Sequence, residues 1–268
     1  MIYPFFKEQW KMIAKKLTSL QHPFVKYIVS LRKDSSLRKK ENKALVIGTK
    51  MVRELSLSMA PIQVLLIQEN MLSLFPFISQ EKSPEIFLVT YEILKKITGI
   101  ANPEPIAAIT LIPPFQDLSS TSRLLVLDGL SDPGNVGTLL RSALALGWDG
   151  AYLTESTCDP FNEKALRAAK GATFRLPLAM GSWDDFVSMT KKNSFHVLLA
   201  DTDGFVIEKC AMSVPTALIL SSESHGPRAD AKKIFQKVTI PMHYRMESLN
   251  VASAGAILLY GLRTCDEL

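Results

Sequence analysis

Short apolar runs alternate with helix-length segments along nearly the whole chain. Runs rich in Val, Ile and Leu are typical of buried strands, and the segments between them repeat their apolar positions at helical spacing. The predicted strands are residues 44–47, 62–67, 86–89, 106–111, 124–127, 151–153, 195–199, 217–220 and 238–240. Because strands that alternate with helices form parallel sheets, this pattern predicts an α/β fold with mainly parallel sheets.

The alternation is interrupted once, at residues 113–122, where a Pro-Pro pair is followed by a cluster of serines and threonines. This composition is typical of a linker. It predicts a smaller N-terminal α/β/α domain over residues 1–112 and a C-terminal domain over residues 123–268.

The composition of the sequence argues against several classes of protein. No apolar run reaches the roughly 18 residues that span a bilayer, and the first residues lack the pattern of a secretory signal. The cysteines at positions 158, 210 and 265 are odd in number and lack CxxC spacing, so neither a disulfide framework nor a zinc site is indicated. We therefore expect a cytoplasmic protein without a membrane partner and without a metal.

The positive charge is concentrated at the N-terminus. Residues 1–53 contain 13 lysines and arginines against 3 acidic residues, a net charge of +10, whereas the remainder has a net charge of −5. A basic arm on a mildly acidic body is typical of a protein that binds a polyanion, above all a nucleic acid. A solvated lysine-rich surface on an ordinary protein is the alternative interpretation.

Candidate chemistry begins at residues 124–153, where a buried strand leads through the turn DPGN into an amphipathic helix. The turn contains Asn135, and Arg141 is expected close to the loop, near the helix start. Neither GxxxxGK[ST] nor GxGxxG is present, which disfavours a P-loop or a dinucleotide site. On this segment alone, a plain β-turn with a surface arginine is equally consistent.

Two further segments repeat the strand-to-loop arrangement. Residues 159–178 contain a helix with a basic end before Gly171, which is most simply a helix C-terminus. Two later strands end in polar loops, the first with Glu223 and the second with Ser248 and Asn250, and Ser248 stands at a suitable helix N-cap position. Polar residues at the ends of two strands indicate a site.

These three segments, in this order and spacing, resemble the three motifs of the SpoU (TrmH) family of RNA 2′-O-ribose methyltransferases, within the SPOUT superfamily. The resemblance implies a Rossmann-like C-terminal sheet with a deep trefoil knot, S-adenosyl-L-methionine as cofactor, and a homodimer. Residues 19–55 resemble the ribosomal-protein-like domain with which many members bind their substrate, which implies RNA, in particular ribosomal RNA, as the partner.

The resemblance also implies a set of functional residues. Those assigned to catalysis are Asn135, Arg141, Glu223, Ser248 and Asn250, those around the cofactor are Ser221, Glu223, Ile240, Met242 and Leu249, and those on RNA are Lys26, Arg32, Lys33, Arg38, Lys39 and Lys40. A guanidinium cannot readily lose a proton in a protein. We therefore expect Arg141 to hold the phosphate and ribose next to the reacting hydroxyl rather than to act as a base.

The chain departs from the family pattern at a few positions. Glycine is usual in the family at the positions of Ser221, Ser224 and Tyr244, and a glycine there lets the backbone approach a ligand closely. These departures leave open a second function, a catalytically weak or inactive knotted RNA-binding protein that acts in ribosome assembly. A tRNA 2′-O-methyltransferase is a third, less favoured because the N-terminal domain is closer to those of ribosomal RNA modifiers.

Overall fold

The computed structural model describes residues 14–57, 61–71, 84–207, 215–222 and 226–263. The chain divides into two compact units between Pro113 and Pro114, and the short segment Phe161–Glu163 is grouped with the first unit. Within the described ranges, none of the helices is long and apolar enough to cross a membrane.

The N-terminal unit is a five-stranded mixed sheet with helices on both faces. Its elements are β1 (Lys15–Leu17), α1 (Pro23–Lys33), α2 (Ser35–Glu41), β2 (Lys43–Ile47), α3 (Thr49–Leu57), β3 (Ile62–Gln68), β4 (Glu85–Val89), α4 (Tyr91–Thr98) and β5 (Ile106–Leu111). The strand order is β1-β4-β3-β5-β2. Strands β1 and β3 run parallel to β4, whereas β5 is antiparallel to both of its neighbours.

The core of this unit lies between one face of the sheet and helices α1 and α4. It includes the fully buried Ile28 of α1, Leu66 of β3 and Ile93 of α4. Capping side chains fix the helix starts: Asp34 Oδ1 accepts from the backbone N–H of Ser36 at 2.8 Å at the start of α2. These contacts hold the basic helices α1 and α2 on the sheet.

The C-terminal unit is a six-stranded sheet whose strands are all parallel. Its elements are β6 (Arg123–Asp128), α5 (Pro133–Ala145), β7 (Gly150–Thr154), α6 (Glu163–Ala169), a 3₁₀ turn (Ala172–Phe174), β8 (Leu178–Gly181), α7 (Trp183–Lys192), β9 (His196–Val206), β10 (Thr216–Ser221), α8 (Ala231–Ile234), β11 (Gln236–Thr239) and α9 (Val251–Gly261). The strand order is β11-β9-β10-β6-β7-β8. All nine predicted strands are present, and the predicted α/β class with mainly parallel strands is confirmed.

Close packing of the last helix places its start beside the sheet. A Cβ atom at Gly255 would lie 2.3 Å from a methyl group of Leu139 of α5 and 2.6 Å from one of Leu220 of β10, so a larger residue would displace these side chains and glycine lets α9 pack close to both elements. The buried Trp148 indole donates to the carbonyl of Leu259 at 3.1 Å and fixes the other end of α9. The residues before α9 are therefore held at the carboxyl end of the sheet.

Candidate active site

A cavity of about 350 Å³ opens at the carboxyl ends of β10 and β11, next to β9. It is formed by Ala200, Asp201, Thr202, Leu220, Ser221, Ser222, Gly226, Pro227, Lys232, Val238, Thr239, Ile240, Met242, Ser248, Leu249, Val251, Ala254 and Leu258. This volume is within the range of small-molecule and cofactor sites, and the carboxyl edge of a parallel sheet is where such sites form in open α/β folds.

The structure brings together most of the residues predicted to surround a cofactor. Ser221, Ile240, Met242 and Leu249 all line the cavity, as does Ser248, which the sequence assigned to catalysis. The predicted residue Glu223, like its neighbour Ser224, lies outside the described residues.

Two polar features mark the cavity wall. The Ser221 hydroxyl is buried, and among the described residues it has no hydrogen-bond partner. Asp201, whose side chain is 10% exposed, forms an ion pair with Lys232, with 3.2 Å between Oδ2 and Nζ. Burial raises the pKa of Asp201, but the hydrogen bond and charge of Lys232, together with the backbone N–H groups of Asp203 and Thr202, outweigh it, so the pKa is below its usual value. The cavity thus offers a charged acceptor at neutral pH and a buried hydroxyl that a ligand could pair.

These features fit S-adenosylmethionine. Apolar side chains from Leu220, Ile240 and Met242 suit the flat adenine ring, and a carboxylate such as that of Asp201 is the group that commonly binds ribose hydroxyls in nucleotide sites. The buried Ser221 oxygen costs free energy as long as it is unpaired, which a polar ligand atom would relieve.

Beside the cavity, two of the predicted catalytic residues contact each other. Asn250 Nδ2 donates to Asn135 Oδ1 at 3.3 Å. Asn250 is the N-cap of α9, because its Oδ1 accepts from the backbone N–H groups of Ala252 and Ser253. The expectation that Ser248 caps this helix is therefore wrong: α9 begins two residues later, and Ser248 is exposed at the cavity instead.

The backbone at Asn135 is held by the carboxylate of Asp132, which caps the start of α5. Asp132 Oδ1 accepts from the backbone N–H of Asn135 at 3.0 Å at the start of α5, and Asp132 Oδ2 pairs with Lys164 Nζ at 2.6 Å. The hydrogen bond from Lys164 is the largest of the effects that lower the pKa of Asp132. Lys164, part of the second motif, thus supports the loop that presents Asn135.

Arg141 lies elsewhere on α5 than the sequence suggested. It is the ninth residue of the helix that begins at Pro133, so its Cα is about 12 Å along the axis from the helix start. The expected position near the helix start is therefore wrong. Arg141 is exposed, and within the described part of the chain no hydrogen bond or ion pair engages it. Its guanidinium is available to an external phosphate.

The described residues on either side of positions 223–225 are both bonded to Asp128. The Ser222 N–H donates to the carbonyl of Asp128 at 3.2 Å, and Arg228 Nε donates to the Asp128 carboxylate at 3.2 Å. Asp128 is 5% exposed and also accepts from Thr154 at 3.0 Å. These contacts hold the residues just after β10 and just before α8 on the end of β6.

Sequence reasoning missed Asp128, Asp201, Lys232 and Arg228. Asp128 and Asp201 directly follow apolar strand runs, and this position at the carboxyl end of a strand was the available signal. Their partners Lys232 and Arg228 gave no such signal, because ordinary surface residues have the same local pattern.

The RNA-binding assignment needs one correction in the N-terminal unit. Lys26, Lys33, Lys39 and Lys40 are exposed. Arg38 is 2% exposed, and its Nη1 donates to the carbonyls of Leu31 and Arg32 at 2.8 and 2.7 Å at the end of α1. The prediction that Arg38 contacts RNA is therefore wrong, because its guanidinium is buried and bonded to carbonyl groups within the N-terminal unit.

Arg32 is half-buried, and its Nη1 donates to the carbonyl of Thr98 at 2.8 Å. This contact holds α1 against the end of α4. The four exposed lysines are therefore the members of the predicted RNA-binding set that have free access to a ligand.

The all-parallel sheet, the cavity at its carboxyl edge and the paired asparagines beside it define an α/β nucleotide-cofactor enzyme. Residues 122–260 match the SpoU rRNA methylase family, and residues 22–108 match an MRM3-like substrate-binding domain. The chain belongs to the SpoU rRNA methylase family.

Two relatives illustrate this membership. The chain is 31% identical over 228 residues to the 23S rRNA (guanosine(2553)-2′-O)-methyltransferase RlmP of Bacillus subtilis, and the match covers 84% of this chain and 90% of that protein. It superimposes with a TM-score of 0.83 and 25% identity on an AdoMet-bound rRNA methyltransferase of Sinorhizobium meliloti, covering 93% and 97% of the two chains.

The predicted family, methyltransferase class and cofactor are therefore confirmed: the protein is an S-adenosylmethionine-dependent rRNA 2′-O-methyltransferase of this family. The trefoil knot stays a prediction that follows from the family.

Proposed function

We propose that the protein methylates a ribose 2′-hydroxyl of large-subunit ribosomal RNA, with S-adenosylmethionine held in the cavity. The observation that carries the proposal is the Asn135–Asn250 contact beside a cavity that contains the predicted cofactor residues. The large subunit is chosen because the Bacillus subtilis relative is a 23S rRNA enzyme and matches along most of both chains.

The chemistry needs little from acid or base groups. The cofactor supplies a methyl group on a positively charged sulfur, which is already a strong electrophile. The protein must align the 2′-oxygen with that methyl group, and alignment alone is worth a large part of such a barrier. The 2′-oxygen would form a bond to the methyl carbon as the bond from that carbon to sulfur breaks, the electron pair staying on the sulfur of the departing S-adenosylhomocysteine, and the oxygen would lose its proton to water or to the neighbouring phosphate.

The described residues suit these tasks. Arg141, exposed and unengaged by any described residue, would hold the phosphate and ribose oxygens with its planar fork. Asn135 and Asn250 would orient the ribose, since each amide has hydrogen-bonding capacity beyond the contact between them. Ser248, at the cavity edge, would contact both cofactor and substrate.

We also propose that the protein is a homodimer. Helix α9 exposes two large side chains about one turn apart, Ile257 at 45% and Tyr260 at 57%. Exposed apolar side chains grouped on one helix are typical of an interface. Light scattering should give twice the chain mass, and Ile257→Glu should give the monomer.

Cofactor binding has a specific test in Asp201. Asp201→Asn keeps the shape of the side chain but removes the charged acceptor from the cavity. We expect the Kd for S-adenosylmethionine to rise about tenfold or more, the scale of a lost charged hydrogen bond. Titration calorimetry, with S-adenosylhomocysteine as competitor, measures it. Asp203→Asn is the matched control, because Asp203 lies on the same strand with its side chain 92% exposed.

The overall proposal is tested by comparing 2′-O-methylation maps of ribosomal RNA from cells with and without the gene, followed by methylation of the missing site in vitro. Loss of one site in large-subunit RNA, restored by the purified protein and S-adenosylmethionine, is the expected result. If every ribosomal site persists and purified protein binds RNA without methylating it, the protein is an assembly factor instead. Methylation of transfer RNA alone would also reject the proposal.

A further inference from the structure

We propose that Tyr244, together with Arg245, stacks on a base of the substrate RNA beside the target nucleotide. The inference rests on the proposed function, because it takes RNA as the substrate. It adds a recognition residue that none of the predicted site residues includes.

Tyr244 is the most exposed large hydrophobic side chain among the described residues, with 82% of its surface accessible. The His243 ring lies 4.3 Å from the Tyr244 ring, centroid to centroid, at an interplanar angle of 32°. Arg245 Cζ lies 5.6 Å from the same ring, and its Nε donates to the tyrosine Oη at 3.3 Å. Three ring or guanidinium planes are thus grouped on the surface.

This group lies in the chain segment that lines the cavity rather than on a remote surface. Tyr244 is two residues from Met242 and four from Ser248, both of which line the cavity. Two trans peptide links span at most about 7.6 Å between Cα atoms. The Cα atom of Tyr244 therefore lies within that distance of the Cα atom of Met242 in the cavity wall. Asn250, which contacts Asn135, follows in the same segment. A nucleotide that neighbours the target ribose would pass this segment.

The chemistry of the group favours a base over an apolar protein surface. Unstacked RNA bases bind on aromatic rings and on guanidinium planes, and this stacking tolerates any base. Arg245 adds a positive charge that attracts the RNA backbone, whereas an apolar interface would have to desolvate that charge.

The test compares Tyr244→Ala with Tyr244→Phe, which keeps the ring but loses the hydroxyl. The KM for RNA, the Kd for RNA in the presence of S-adenosylhomocysteine, the Kd for S-adenosylmethionine and the solution mass are measured for each. We expect the alanine variant to raise the RNA KM and Kd about tenfold, the effect of one lost base stack, and the phenylalanine variant to stay near wild type. Phe205→Ala is the control, since Phe205 is another exposed aromatic residue, 63% accessible, of the same unit.

Each other outcome rejects the inference. An unchanged RNA KM and Kd in Tyr244→Ala would show that the ring does not meet RNA, and a change to the monomer mass would assign it to the subunit interface. A rise confined to the Kd for S-adenosylmethionine would assign it to the cofactor site. If wild-type protein binds RNA but methylates none, the proposed function fails, and the RNA Kd values still decide the role of Tyr244.

Discussion

At the scale of single residues, surroundings decide what an arginine does. Arg38 is buried and donates to two carbonyl groups, so its charge stabilises the end of α1. Arg141 is exposed, with no described residue bonded to it, and its five N–H donors are open to a ligand. The same kind of side chain is a structural element in one place, and in the other it is the residue that we propose holds the substrate.

The role of Arg141 predicts a specific result for two substitutions. Arg141→Lys keeps the charge but loses the planar fork, and Arg141→Ala loses both. If the fork aligns phosphate and ribose, both variants should lose about 100-fold or more in kcat/KM, the scale of a misplaced positioning contact. Single-turnover methylation of RNA measures the loss, and the Kd for S-adenosylmethionine should not change.

A lysine variant that keeps most of its activity would mean that only a positive charge is required at position 141. An active alanine variant would remove Arg141 from the site altogether.

At the scale of elements, the residue that caps α9 contributes both to the stability of that helix and to the candidate active site. Asn250 caps the helix through its Oδ1 and reaches Asn135 on α5 through its Nδ2. Gly255 lets α9 pack close to α5. The starts of these two helices are joined by the hydrogen bond between the Asn250 and Asn135 side chains. One side chain therefore caps a helix and contacts Asn135, which we propose orients the ribose.

These two roles can be separated by substitution. Asn250→Ser keeps a good N-cap but is too short to reach Asn135, whereas Asn250→Ala loses both functions. We expect the alanine variant to lower the free energy of unfolding by about 1 kcal/mol and the serine variant to be near wild type in stability. Both should be strongly reduced in methyl transfer, measured beside thermal unfolding. If the serine variant were fully active, the contact with Asn135 would be dispensable.

The sequence predicted elements well where apolar runs are long. It missed β1 and β8, which are edge strands of three and four residues with few buried positions, so their apolar pattern is too weak to detect. It placed the helix cap at Ser248 because serine and asparagine are both good caps, and only the tertiary contact with Asn135 selects Asn250. Asp201 was missed because its partner Lys232 is distant in the sequence.

At the scale of the whole molecule, charge is divided between the two units. The N-terminal 53 residues have a net charge of +10 and the rest a net charge of −5. The exposed lysines of α1 and α2 belong to the unit that matches a substrate-binding domain, whereas the cofactor cavity belongs to the other. Affinity for RNA and affinity for the cofactor should therefore respond to different mutations.

The cytoplasmic location stays a prediction.

Salt dependence tests this division. Replacing Lys33, Lys39 and Lys40 by glutamine should weaken RNA binding and reduce the slope of log K against log salt by about 2 to 3, because each phosphate contact contributes about 0.7 to 0.9. Titrations of RNA between low and high salt measure the slope, and cofactor affinity should be unchanged. Lys191→Gln with Lys192→Gln, exposed lysines at the end of α7, is the matched control. An unchanged slope in the triple variant would exclude these lysines from the RNA contact.

All residues that line the cavity lie between Ala200 and Leu258, within the last third of the chain. During translation the N-terminal domain emerges and folds first. A growing chain can therefore present its basic helices while the walls of the cofactor site are still unsynthesised. A premature stop codon between Pro114 and Val251 would leave a product with the exposed lysines of the N-terminal unit and no closed cavity. We expect such a product to compete with the intact enzyme for RNA rather than to act as a weakened form of it.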